Sequence, residues 1–146
     1  MNELNLMVER TINAPQIDVF NAWLDPEMLK KFMMPAAGMS VPHASSEPEE
    51  GGRFEIVMQA GDNEIPHAGT YREINRYERL VFTWESPFSV ENSTVTLTFK
   101  PVAAGTHVTL EHVRFIDAET RDNHKGGWMG ILETLDATLN ALQETG

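Results

Sequence analysis

The chain contains no cysteine. That removes disulfides, thiolate metal sites and a cysteine nucleophile together, and it fits a reducing compartment. No stretch approaches the roughly 20 apolar residues that span a bilayer. Residues 1–10 carry Glu3 and Glu9 and lack a basic segment followed by an apolar run, so they do not read as a signal peptide. The expected location is the cytoplasm. Basic residues are scarce: 11 Lys and Arg stand against 22 Asp and Glu, a net charge of −11. Such a surface repels phosphate backbones and anionic lipid heads. Neither nucleic acid nor a membrane is therefore the expected partner. Nucleophile elbows, phosphate loops and dinucleotide-binding glycine motifs are also missing. His43, His67, His107 and His124 fall on loops and exposed strand positions, with no HxH or HExxH pair. No metal and no cofactor are expected.

What is present is a chain of 146 residues, 41% hydrophobic and 23% charged. That length supports one hydrophobic core, and the expected organisation is a single domain over residues 1–146.

Leu4, Leu6, Val8, Arg10 and Ile12 alternate with polar neighbours and predict a half-buried strand. Asn13-Ala14-Pro15 breaks it, with Asn13 as a helix N-cap and Pro15 in the first turn. Val19, Phe20, Trp23 and Leu24 follow at helical spacing. Asp25-Pro26 opens a second short helix, which Pro35 and Gly38 end. Strands are predicted at Met39–His43, around Phe54–Met58, at Gly69–Ile74, Leu80–Trp84, Ser93–Phe99 and Thr106–Arg114. Turns separate them, among them Gly61-Asp62-Asn63. The acidic run Glu47-Pro48-Glu49-Glu50 reads as a solvated turn. At the end Trp128, Ile131, Leu132, Leu135, Leu139 and Leu142 recur at three- and four-residue steps, with Glu133, Asp136, Asn140 and Glu144 on the opposite face. This is a long amphipathic helix, loosened at its start by Gly126-Gly127. Sequential strands joined by tight turns make an antiparallel meander, and the long helix is its natural cover. The fold class is α+β: a curved antiparallel sheet of six or seven strands around the long C-terminal helix, with two short helices after the first strand.

Several segments, in order, resemble one family. They are Arg10-Thr11-Ile12-Asn13-Ala14-Pro15 with Ala22-Trp23, then Asp25-Pro26-Glu27, then Gly51-Gly52-Arg53-Phe54. Gly69-Thr70-Tyr71-Arg72-Glu73-Ile74 and Glu78-Arg79-Leu80-Val81-Phe82-Thr83-Trp84 follow. Gly105-Thr106, Glu111-His112 and Gly127-Trp128 with Leu132 and Leu135 complete the set. The whole resembles the heat-shock protein 90 ATPase activator-like group of START-like (SRPBCC) domains. That resemblance implies a helix-grip fold with a deep apolar cavity. It does not imply one activity, because members include ligand carriers, sequestering proteins, cyclase-like enzymes and co-chaperone domains. Many relatives carry an aromatic near Met33-Met34-Pro35, where this chain has two flexible methionines.

The expected site follows from strand parity. Val108, Leu110 and His112 share one face of the last strand, so His112 enters the cavity as its one titratable group. It is the candidate acid–base residue; the alternative is a core histidine tied to a hydroxyl or a carbonyl. The expected ligand-binding residues are Met34, Phe54, Met58, Tyr71, Trp84, His112 and Trp128, enclosing roughly 300–1,000 Å³. The facing of Tyr71 is open. Arg10, on the apolar side of the first strand, reaches the rim or a carboxylate such as Glu55. The leading expectation is a monomer or homodimer that binds a small hydrophobic molecule. An enzyme using His112 and a chaperone-interaction module are the alternatives.

Overall fold

A computed structural model of the protein describes residues 4–34, 38–87 and 89–145, with side chains to Ala141. The chain runs β1 (Asn5–Ile12), α1 (Gln16–Ala22), α2 (Pro26–Phe32), β2 (Met39–Ser46), β3 (Arg53–Ala60), β4 (Asn63–Asn75), β5 (Arg79–Thr83), β6 (Thr94–Val102), β7 (Gly105–Val113) and α3 (Ala118–Thr145). All pairings are antiparallel, in the order β1-β7-β6-β5-β4-β3-β2. The strands from β2 to β7 form a meander, and β1 closes against β7 with Asn5 opposite Val113 and Ile12 opposite Thr106. The curved sheet grips α3, and α1 and α2 fill one end, as the helix-grip arrangement predicts.

Alternation sets which face is covered. Leu6, Val8 and Ile12 of β1, Phe54, Ile56 and Met58 of β3, and Val108, Leu110 and His112 of β7 are all buried. Trp128, Ile131, Leu132, Leu135 and Leu139 supply the facing stripe of α3. Leu142 and Glu144 lie outside the described side chains, and Pro35 lies outside the described residues.

The local signals that set the helix ends differ in outcome. Asp25 caps α2 by accepting from the Glu27 backbone N–H at 3.0 Å, with Pro26 at the first helical position. Asn13 does not cap α1. Pro15 occupies that position, and α1 starts without a side-chain cap bond. Asn13 is instead turned toward α3: its backbone N–H donates to Asp136 Oδ1 at 3.2 Å and its amide donates to Asn140 Oδ1 at 2.8 Å. Asp136 also receives Arg10 Nε at 3.0 Å. Arg10 therefore pairs with the helix and not with Glu55, which lies 3.7 Å from His43.

Several elements are longer than the sequence reading has them, β4 and α3 most of all. β4 begins at Asn63 and not at Gly69. Its first half carries Pro66 opposite Val57, where it pairs with β3 alone apart from an isolated bridge between Ala68 and Glu85. Proline is tolerated there because no ladder bond is needed on the open side. α3 begins at Ala118, ten residues before Trp128. Asp117 accepts from the Thr120 backbone N–H at 2.8 Å, which settles the first turn. The helix then runs straight through Gly126-Gly127, which are not its start.

Gly69 sits where β4 passes between β3 and the end of β5. A Cβ built there meets the Thr83 carbonyl oxygen and comes within 2.6 Å of Phe54 ring carbons. Gly69→Ala is expected to cost about 2–3 kcal/mol, because the strands must spread. Urea unfolding checks this, and a loss below about 0.5 kcal/mol would mean that the sheet yields freely at this point.

Candidate functional site

The seventh strand delivers His112 to the interior, where the ring is fully buried. Its two nitrogens are both engaged. Trp128 Nε1–H, from α3, donates to His112 Nδ1 at 2.9 Å. An indole nitrogen can only donate, so Nδ1 is the acceptor and the ring proton sits on Nε2. Nε2–H then donates to Ser93 Oγ at 2.6 Å, and that hydroxyl lies 3.5 Å from the Val113 carbonyl. The chain of bonds fixes the tautomer and ties the helix to β7 and the start of β6. Burial, and the nearby His124, push the His112 pKa down to about 3. Parity placed the ring correctly. The Ser93 hydroxyl and the Trp128 indole hold it there.

A cleft opens between α3 and the far end of the sheet. Its volume is about 170 Å³, smaller than the 300–1,000 Å³ expected. Met39 of β2, Met58 of β3, Ile65 and His67 of β4, and Trp84 after β5 form one side. Asn123, His124, Gly127, Trp128 and Ile131 of α3 form the other. The Trp84 and Trp128 rings stand 4.9 Å apart at 58°. Among these lining residues there is no carboxylate, ammonium or guanidinium.

The residues expected at the site are thus divided. Met58, Trp84 and Trp128 line the cleft. Phe54 and Tyr71 are buried deeper, beside Trp23, Met33 and Phe82, around a residual void of only about 10 Å³. Tyr71 faces inward, and burial pushes its phenol up to about 12, against the pull of the Ser46 hydroxyl. Met34 packs half-buried against the core, and it does not border the cleft. His112 stands behind Trp128 and does not line the cleft either.

Two histidines absent from the sequence-based site belong to it. His67 is only 9% exposed, not on an exposed strand position as expected, and its ring stacks on Trp84 at 4.9 Å. Its Nδ1 is buried without a hydrogen-bond partner among the described residues. Burial pushes its pKa down to about 4, with the backbone of Ile56 and Ile65 pulling the other way. The signal was present: His67 shares parity with Gly69 and Tyr71, once β4 is extended back across Pro66. His124 is brought in by the early turns of α3, which carry no apolar stripe to announce them. Its Nδ1 lies 2.9 Å from the Thr120 carbonyl, and its ring packs edge-on to His112 at 5.4 Å.

Among the described residues no group of three or more His, Asp or Glu is placed to hold a metal ion, and no helix is long and apolar enough to cross a membrane.

A protein of Nitrosomonas europaea shares the fold at a TM-score of 0.82 and 24% identity, over 97% of each chain. An AHSA1-like protein of Aeromonas hydrophila aligns at 0.81 and 23% identity, over 96% of this chain and 94% of its own. A protein of Staphylococcus aureus reaches 0.84 at 16% identity, over 98% of this chain and 97% of its own. At such identities the likeness is one of fold. No curated protein matches the chain. The family model described as activator of Hsp90 ATPase homolog 1-like protein matches residues 13–140. That match runs from the end of β1 to the late turns of α3, and on it the chain belongs to the family of activator of Hsp90 ATPase homolog 1-like proteins.

Proposed function

We propose that the protein binds a small, largely apolar molecule in the cleft between α3 and the sheet and shields it from water. The observation that carries this reading is the lining itself. Met39, Met58, Ile65, Trp84, Trp128 and Ile131 supply six of its ten lining residues, and no carboxylate, lysine or arginine interrupts them. Concave apolar surface with a few polar groups is the usual form of a ligand site. At about 170 Å³ the space is small but real. An engineered cavity of roughly 150 Å³ admits benzene, so the scale is that of one ring.

An acid–base enzyme built on His112 is the weaker reading. Its ring nitrogens are both occupied by Trp128 and Ser93, and its pKa of about 3 lies far from neutral. A general base works best with a pKa near the operating pH.

Two measurements test the binding reading together. Native mass spectrometry of freshly purified protein is expected to find a small bound molecule that leaves on unfolding. Titration with p-xylene is expected to shift the indole N–H resonances of Trp84 and Trp128 in NMR spectra. A protein that carries nothing and gives no shift with p-xylene would overturn the reading.

A further inference from the structure

The cleft has a chemical preference beyond its apolar walls, and it lies in His124. The Nδ1 of this ring is 2.9 Å from the Thr120 carbonyl oxygen. A carbonyl oxygen can only accept, so Nδ1 carries the proton, and in the neutral ring Nε2 presents a bare lone pair. That nitrogen makes no hydrogen bond among the described residues. Contacts with His112 at 5.4 Å and Phe115 at 5.2 Å hold the ring in place. Of the titratable groups around it, His112 has both nitrogens committed, to Trp128 and to Ser93, and has no proton left to offer. His67 stands on the opposite side of the cleft, and the lining contains no carboxylate, lysine or arginine. Among the described residues, then, none donates to His124 Nε2.

We propose that the cleft takes a single-ring aromatic carrying one hydroxyl, a phenol-like molecule whose O–H donates to His124 Nε2. The proposal rests on the binding reading above and names the ligand class for that same site. Three features converge on it. The tilted Trp84 and Trp128 rings make flat, polarizable walls, which suit an aromatic ring. A space of about 170 Å³ accommodates one ring and a small substituent, and no more. The acceptor at His124 then selects for a hydroxyl over a methyl group, because a methyl there covers the imidazole nitrogen and leaves its lone pair without a donor, whereas a hydroxyl supplies one.

The test uses p-cresol and p-xylene, which share a shape and differ only in a hydroxyl for a methyl. Calorimetry at pH about 8 keeps ordinary imidazoles and phenols neutral. The unmodified protein is expected to bind p-cresol at least as tightly as p-xylene. His124→Phe is expected to weaken p-cresol by about tenfold, the scale of one lost hydrogen bond to a buried group, and to leave p-xylene within about threefold. Equal weakening of both probes, or p-cresol unaffected, overturns the ligand class and leaves the binding reading standing. If neither probe binds the unmodified protein, the ligand class falls, and the binding reading falls with it where the purified protein also carries no small molecule. A second measurement needs no variant. The ¹⁵N resonance of His124 Nε2 is expected to move on adding p-cresol and to stay in place on adding p-xylene, and a resonance that ignores p-cresol overturns the proposal.

Discussion

Leu135→Ala is expected to destabilise the protein by about 2–5 kcal/mol, the range for emptying a well-packed leucine site. Leu135 is 0% exposed and lies mid-stripe on α3. The site is enclosed between the helix and the curved sheet, so little can collapse into the space left. Glu133→Ala, on the exposed face of the same helix, is the matched control and should cost under about 0.5 kcal/mol. Asp136 belongs to neither class. The sequence places it on the polar face, where its loss would be nearly silent. In the fold its carboxylate accepts from Arg10, from the Asn13 backbone and, at 3.1 Å, from Asn140. Asp136→Ala is expected to cost on the order of 1–2 kcal/mol, as those donors lose a shared acceptor. Urea melts of the three variants at neutral pH give the ranking. Equal losses for Leu135→Ala and Glu133→Ala would mean that the helix is rotated from the orientation described.

Acid is expected to weaken the fold well before the carboxylates titrate. His112 and His67 are neutral when buried, with pKa values pushed down to about 3 and about 4 from an ordinary 6.5. In the unfolded chain both return to the ordinary value. Below pH 6.5 the unfolded state therefore binds protons that the folded state refuses, and stability falls as pH falls. The contribution is complete above pH 6.5 and is lost progressively toward pH 4 and 3. Each histidine contributes at most about 1.4 kcal/mol per pH unit in that window. Between pH 7 and pH 5 the combined loss should be on the order of 2–4 kcal/mol, a large part of the stability of a small domain. The readout is the urea midpoint as a function of pH. His112→Gln, which removes one titration, is expected to flatten the dependence by about half. A midpoint that does not change between pH 7 and pH 5 would show that neither ring is held neutral in the interior.

The core was legible because period-two and period-3.6 patterns report burial directly. Parity alone put Phe54, Ile56 and Met58 inside on β3 and His112 inside on β7, and helical spacing put Trp128, Ile131 and Leu135 on the buried face of α3. Asp25-Pro26 announced α2 because its capping chemistry is local. Asn13 misled for a related reason: it is a good capping residue, but Asp136 and Asn140 on a helix more than 120 residues away compete for it. The site was less legible. Half of it comes from segments whose local sequence argues against regular structure, Pro66 before His67 and Gly126-Gly127 after His124.

The sequence by itself determined the class of the fold, the order of its elements and the identity of most buried side chains, since each depends on a periodicity that a single strand or helix carries alone. It also determined that His112 faces inward. Only the tertiary structure decided what that histidine touches, because that depends on which elements reach it. Trp128 arrives from α3 and Ser93 from the turn before β6, and together they bond both nitrogens of the ring and link helix to sheet. Only the tertiary structure, likewise, decided the size and the polar groups of the cleft. A cleft is the space left between elements, and that space is set by how closely α3 settles on the sheet, which no single element encodes.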